Sequence, residues 1–558
     1  MKQMSVIGII VALIIGLLIG SGFTMVFLPP QEIEVEPELP AERLCPTVDF
    51  LIISEGEAPI RYAAADIIVD AWEELGIPVN RIVAEMSTVW GTCVEGPPWD
   101  DWNAMTMGHI SRPERFDPNT LLGYFVSDRI EGMNYAAFNS STYDMVIDMM
   151  ATEMDAERRR ELSWIAQEIF VDEHIIIPMY CGDMIQFYNK DKFGGNVYQR
   201  EAGGGIHNWW TYTEMEPLTE DTIIDLGTAE RVNPLNPVSP ELGHEVEILR
   251  FVYDTLCRIN PDGIVEPILA TNVEVVSPTT IDMTIQENAK WHDGEPLTAD
   301  DVKFTFDYIK EWEFTVHGAV VEPIESVEVL NQTAVRFNLY KPNAAIFITA
   351  FCYVPILPEH IWDGLVERED LEHPEEWNNP NPVGSGPYKV DAFLPDEEVR
   401  LVKNEDYWKV PKADGLRWIL YADDVAFVNG LKTGEADSSE VHTLIATIVE
   451  ELLLEDHLEM VQTPSIGIYF TGINHRIPPF DNKAFREAIC YTIPYQHIVD
   501  DLLLGRGTIE PSIIGSANEY WHNPSIPDYE YDLEMATQIL KSNGYDWDAE
   551  GRLYLPPG

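Results

Sequence analysis

At 558 residues the chain can bury two or three hydrophobic cores, because a single core stops growing near roughly 250–300 residues. Its formal charge of −60 argues against a nucleic-acid partner, whose phosphates demand a basic face. Such acidity suits either a salt-rich habitat or a solvated extracellular surface, and the ordinary 45% hydrophobic content, free of low-complexity tracts, excludes a disordered or fibrous chain.

Residues 4–28 form an almost uninterrupted apolar run, longer than the roughly 20 residues that a spanning helix needs. Lys2 precedes the run and Glu32, Glu34, Glu36, Glu38 and Glu42 follow it, which favours an N-inside, C-outside anchor. Ser21-Gly22 offers only a weak cleavage site for the alternative, a signal peptide. Residues 29–46 are rich in Pro and Glu and read as an extended spacer. A buried-type strand at 48–54, an amphipathic helix at 62–75 ending at Gly76, and a strand resuming at Pro78-Val79 make an α/β unit.

Residues 99–122 open with Trp99, Asp100, Asp101 and Trp102, then a strand at 104–107, then Gly108-His-Ile-Ser-Arg-Pro-Glu-Arg-Phe-Asp-Pro118. Residues 141–150 and 156–170 are amphipathic helices, and Arg158, Arg159 and Arg160 read as a solvated face pairing with nearby glutamates. A fully apolar strand at 175–180 ends in Cys181-Gly-Asp183. Gly203-Gly-Gly205 lacks the strand-to-helix context of a phosphate loop and is a turn. Residues 213–220 are acidic and contain a proline, and are expected to be exposed; strands at 222–227, 280–286 and 326–339 and helices at 245–256 and 426–433 follow. Asp546-Trp-Asp-Ala-Glu-Gly551 mimics the start of a calcium loop, but Pro557 stands where the bidentate glutamate belongs, so a hairpin is expected.

The six cysteines have no C-x-x-C spacing, which argues against zinc and leaves buried thiols or disulfides open. No nucleophile elbow, H-E-x-x-H helix or P-loop is present, and no catalytic constellation, metal site or cofactor is expected.

The most informative stretch is Trp291-His-Asp-Gly-Glu-Pro-Leu-Thr-Ala-Asp-Asp-Val-Lys-Phe-Thr-Phe306. It is a strand end, a tight turn at Asp293-Gly294 and a helix start, with Thr298 capping and Asp301 answering three residues later. Val302, Phe306 and Ile309 recur at helical spacing. This stretch resembles the "F-H-D-G-x-P-L-T-A-D-D-V" signature of extracellular solute-binding family 5, the peptide-, nickel- and oligosaccharide-binding receptors of ABC importers. Pro382-Val-Gly-Ser-Gly-Pro-Tyr-Lys389 resembles the family's "P-V-G-T-G-P-Y" turn. Leu401-Val-Lys-Asn-Glu-Asp-Tyr-Trp408 resembles its "L-x-R-N-x-x-Y-W" strand, and Pro478-Pro-Phe-Asp-Asn-Lys-Ala-Phe-Arg-Glu-Ala488 its "P-P-F-x-D-x-R-V-R-x-A" helix start.

In that family the signature lies near the mature N-terminus, yet more than 200 residues precede it here, and Tyr143–Ile147, Asp155–Leu162 and Ile177–Tyr180 resemble the family's late elements. The resemblance therefore implies a circularly permuted, two-lobed, type II periplasmic-binding-protein-like α/β fold with an extra small domain. Its expected segments are a transmembrane anchor or signal (1–28), the spacer (29–46) and the second large lobe (47–175). The first lobe with both family termini joined (176–256), the small domain (257–381), the first lobe continued (382–477) and the second lobe completed (478–558) follow.

By resemblance, Gly108, His109, Ser111 and Arg112 line the ligand cleft from one lobe. His109 replaces a usual tryptophan, and Ser111 or Arg112 stands where peptide-binding members place an aspartate for the ammonium group, which tilts the site toward a neutral or anionic ligand. Arg231, Val232 and Asn233 are the candidates from the other lobe, Asp183 marks a crossing between lobes, and Tyr469 is an aromatic suited to a sugar or peptide. The implied function is a membrane-anchored extracellular receptor delivering a peptide-like or oligosaccharide-like solute to ABC permease subunits. The alternative is a surface filament, in which residues 48–54 pair with residues 553–555 of a neighbouring molecule.

Overall fold

The computed structural model describes residues 39–95, 101–109, 113–199, 205–229, 232–239, 245–439 and 446–557. The expected anchor at 4–28 and most of the spacer lie outside them. Among the described residues no helix is long and apolar enough to cross a membrane.

Two large mixed sheets and one small antiparallel sheet organise the chain, an α/β architecture. The six-stranded sheet runs in the order Val79–Ala84, Val48–Ile53, Ala104–His109, Ile468–Ile473, Ile177–Gly182, Gly507–Ile509. Its first three strands are parallel, and Ile468–Ile473 is antiparallel to both neighbours. Val48–Ile53 is apolar on both faces because both are covered. Phe50 and Ile52 join the core under the helix Pro59–Glu74, while Leu51 and Ile53 join the core on the other side. Trp72 of that helix stacks on Phe50 with ring centroids 5.3 Å apart, and its indole N–H donates to the Thr492 hydroxyl at 3.0 Å.

The seven-stranded sheet runs Tyr388–Leu394, Glu398–Lys403, Gly415–Leu420, Ile223–Thr228, Ser438–Ser439, Met184–Asn189, Leu458–Thr463. Each large sheet thus takes strands from both halves of the chain. The four-stranded sheet (Ala270–Ser277, Thr280–Ile285, Ala334–Leu339, Ile324–Asn331) is antiparallel and carries the helix Ala299–Glu311. That helix opens with the expected capping box between Thr298 and Asp301, and Val302, Phe306 and Ile309 point into the core. The single strand expected over 326–339 is instead a hairpin, turning at Gln332-Thr333. No Gly or Pro marks this turn; Asn331 makes it by accepting the Thr333 N–H on its side-chain oxygen at 2.9 Å.

The two ends of the described chain meet. Cys45 N–H donates to Leu553 O at 2.9 Å, Leu553 N–H to Gly76 O at 3.0 Å, and Leu44 bridges Tyr554. Phe50 and Leu553 are buried in one cluster. Gly76 is required at this seam, because it has φ +80° and a Cβ there would lie 2.0 Å from Gly551 O. Asp546-Trp547 and Leu553-Tyr554 form the expected hairpin.

Two further expectations are adjusted, and the alternative left open for the cysteines is resolved in this structure. The segment at 213–220 is exposed in part: Thr213 and Met215 are buried, whereas Glu214, Glu216 and residues 218–220 are exposed. All six cysteines are free thiols. Arg159 does not belong to a solvated face: it is 5% exposed and donates to Asp117 at 2.7 Å, Asn119 at 2.8 Å and Met150 O at 3.1 Å.

Candidate functional site

In open α/β sheets, ligands collect outside the carboxyl ends of parallel strands. The parallel strands of the six-stranded sheet end at Ile53, Ala84 and His109, and those of the seven-stranded sheet at Leu420, Thr228 and Ser439. The chain passes between the sheets at these same edges, out through Gly182-Asp183 and back through 464–467. Both crossings are tied together. Gln462 Nε2 donates to Asp183 Oδ2 at 2.6 Å, the Cys181 thiol donates to Ser465 O at 2.9 Å, and Gly467 N–H donates to the Ser465 hydroxyl at 3.0 Å. Burial raises the Asp183 carboxyl above its ordinary range, and the bond from Gln462 opposes that rise. Arg506, beside the last strand of the six-stranded sheet, pairs at 2.7 Å with Glu450 on the helix Ala446–Leu452. Val449 and Leu452 of this helix pack against Ile185 and Phe187 of the seven-stranded sheet, so the ion pair spans the crossing.

Strand register sorts the side chains at this edge. Gly108 lies opposite Tyr469, and Tyr469 opposite Tyr180, so the three share one face. The Tyr469 ring lies over Gly108, where a Cβ would come within 2.3 Å of Cδ1, and its centroid is 5.1 Å from that of Tyr180. The Arg61 guanidinium, from the first turn of the helix Pro59–Glu74, sits over the Tyr469 ring at 5.4 Å. His109, one residue on, points to the opposite face. It is 3% exposed between Tyr124 and Phe470, with ring centroids 5.3 Å from each. Burial first, and the Arg115 charge second, pull its pKa down to about 3, so the ring is a neutral core group.

The other candidates are dispersed. Val232 is buried with Leu235 and Ile224. The Asn233 N–H donates to the buried Glu245 carboxylate at 3.4 Å. Ser111, Arg112 and Arg231 lie outside the described residues. The structure therefore brings together Gly108 and Tyr469 on one face, with Asp183 at the adjoining crossing.

The family model of the bacterial extracellular solute-binding proteins, family 5 (middle region), matches residues 265–557, more than half of the chain. The chain belongs to this family. Among curated relatives, this family-5 chain is 28% identical to the oligopeptide-binding protein AppA of Bacillus subtilis over 319 residues, covering 55% of this chain and 56% of that one. It is 25% identical to the glutathione-binding protein GsiB of Salmonella typhi over 341 residues, covering 58% and 62%. The chain spans about half the length of the curated relatives it matches. Among solved structures, AppA of Bacillus subtilis in complex with a nonapeptide is 22% identical with a TM-score of 0.44, covering 59% of this chain and 65% of that one. NikZ of Campylobacter jejuni in complex with Ni(L-His) is 21% identical with a TM-score of 0.47, covering 61% and 66%.

Two residues of this family-5 chain that sequence reasoning passed over neighbour Gly108 and Tyr469, namely Tyr180 and Arg61. Tyr180 reads as one more residue of an apolar strand, and only its register against Tyr469 makes it a neighbour of Gly108. Arg61 sits in the opening turn of an amphipathic helix, and the position just after a parallel strand is the one signal it carried. Gly108→Ala is expected to push the Tyr469 ring out of place, at a cost of about 1–3 kcal/mol of stability. Thermal unfolding of the variant measures the cost, and a melt unchanged from wild type would remove the close approach.

Proposed function

We propose that this chain is an anchored extracellular solute receptor that clamps a peptide-like or oligosaccharide-like solute between two lobes and presents it to an ABC permease. The carrying observation is the pair of adjacent crossings, Gly182-Asp183 and 464–467, joining two sheets at the edges where their parallel strands end. Two short crossings can absorb a change in backbone angle while each sheet stays rigid, which is hinge geometry. A solute touching both edges binds the closed form better than the open one and shifts the population accordingly. Gly108, Ser111 and Arg112 from one lobe, Arg231 and Asn233 from the other, Asp183 at the crossing and Tyr469 are the proposed ligand-site positions. His109 supports the strand end from the core side, and Val232 packs in the core behind its loop. We assign no catalytic role, in keeping with a receptor family.

The proposal includes the permuted order of segments. It is supported by a seam in which Leu553 and Leu555 bond to Cys45, Gly76 and Arg43 of the same chain. That closure uses, within one molecule, the C-terminal segment that the filament reading assigns to a neighbour. The filament reading is therefore set aside.

Small-angle scattering and native mass spectrometry of the full chain in detergent test the receptor reading. A co-purifying solute whose removal enlarges the radius of gyration, and whose return shrinks it, is the expected result. A radius that never changes across a broad panel of peptides and oligosaccharides counts against a closing clamp.

A further inference from the structure

We propose that Cys257 and Cys352 are disulfide partners, joined when the chain folds under oxidising conditions, and that the bond closes the four-stranded sheet into a covalent loop. Both are thiols in this structure. Two backbone bonds lay the segment that carries one against the segment that carries the other. Cys257 N–H donates to Phe351 O at 2.8 Å, and Ile356 N–H donates to Asp254 O at 2.9 Å. The first bond limits the separation of the two cysteines. Phe351 O and the Cys352 Cα flank one planar peptide, so the Cα atoms of Cys257 and Cys352 stand no more than about 6.5 Å apart. Disulfides span Cα separations of about 4.4–6.8 Å, so the backbone is already within reach.

The side chains share surroundings as well. Cys257 is fully buried in the core under the four-stranded sheet, and Cys352, half-buried, packs against the same cluster. Burial first, and the Cys257 sulfur second, raise the Cys352 thiol well above its ordinary range, so each sulfur lies in the other's field. The sequence positions give the bond its effect. All four strands, from Ala270 to Leu339, and the helix Ala299–Glu311 lie between the two cysteines. A bond closing a loop of about 95 residues removes much of the freedom of the unfolded chain. The remaining cysteines stay thiols: Cys45 and Cys490 are buried in the core under the helix Pro59–Glu74, Cys93 in the core on the other side of that sheet, and Cys181 is bonded to Ser465 O.

The step needs a two-electron oxidant, which a small-molecule disulfide supplies. The Cys352 thiolate attacks one sulfur of that disulfide, forming a mixed disulfide and releasing the other half as a thiol. The Cys257 thiolate then attacks Cys352 Sγ, forming the protein bond and expelling the second half. The two cysteine protons end on the two released thiols; the cysteine sulfurs are oxidised and the small disulfide is reduced. Burial pushes the Cys257 thiol up to about 12, so its thiolate is scarce in the native chain and the exchange belongs to folding, before burial is complete. The extracellular placement proposed above is where such oxidants persist.

The test holds the full chain, in detergent, in urea with oxidised glutathione and returns it to buffer. Remaining thiols are then blocked with N-ethylmaleimide under denaturing conditions, and the digest is mapped by mass spectrometry. The expected result is one joined pair of peptides, carrying Cys257 and Cys352, with the other four cysteines alkylated and the joined pair lost on reduction. The oxidised chain should melt about 5 °C above the same chain in dithiothreitol, and Cys352→Ser should lack that gain. Cys257 and Cys352 found alkylated, glutathionylated or joined to other cysteines, or a gain that survives Cys352→Ser, overturns the pairing. Because the oxidant is supplied in the experiment, such a result leaves the receptor reading standing.

Discussion

Arg159→Ala is expected to destabilise the fold by about 3–5 kcal/mol, the usual consequence of removing one partner from a buried ion pair. Asp117 is fully buried and already caps the turn that follows it, accepting Asn119 N–H at 2.9 Å. Its other oxygen has no partner among the described residues, so loss of Arg159 would strand an unpaired carboxylate among Phe116, Leu121 and Trp521. The Arg159 guanidinium also lies over the Trp521 ring at 5.1 Å, so the truncation loses packing as well as charge. Arg160→Ala removes a solvent-screened pair with Glu157 and the guanidinium's contacts over the Trp164 and Tyr520 rings, at 5.3 and 5.1 Å, and should cost about 1–2 kcal/mol. Arg159→Lys keeps the charge but not the fork that reaches Asp117 and Asn119 together, and should fall between the two. Urea unfolding of the three variants side by side measures this. A cost for Arg159→Ala no greater than that for Arg160→Ala would show that the pair contributes nothing.

The same arginines mark where the sequence stops being informative. Spacing within a helix cannot separate Arg158, Arg159 and Arg160; what singles out Arg159 is an aspartate 42 residues earlier. Features whose cause is local are legible: the Thr298–Asp301 cap, the turn at Asp293-Gly294, the doubly covered strand at 48–53 and the hairpin at 546–554. Features whose cause is a distant partner are not. His109 reads as a ligand-facing replacement for tryptophan, and only its alternation against Gly108 and Tyr469 turns it inward. Tyr180 gains its place from register with Tyr469, far along the chain. The fold was recoverable further than the candidate site because the family's motifs are contiguous, whereas the cluster at the strand edge joins residues 61, 108, 180 and 469, which no short pattern links.

A chain rebuilt in the proposed ancestral order should fold and bind as the natural order does. The rebuilt chain begins at Thr219, runs to Pro557, continues through a short Gly/Ser linker into Glu42, and ends at Leu218. The linker is feasible because Leu555 N–H already donates to Arg43 O at 2.6 Å. The new opening is tolerable because Leu218 is 58% exposed and the pair of Lys192 with Asp221 then holds the two new ends beside each other. The expected result is a thermal midpoint within a few degrees of the natural order and the same solute preference. Deleting residues 546–557 without rejoining makes the opposite prediction, since it removes Leu553 from beside Phe50 and strips the partners from Cys45 and Gly76. That loss should be at least the roughly 2–5 kcal/mol that emptying one buried leucine site costs. A reordered chain that cannot fold while the deleted one melts normally would mean that the seam at Leu553 is incidental, and the permuted order would fall with it.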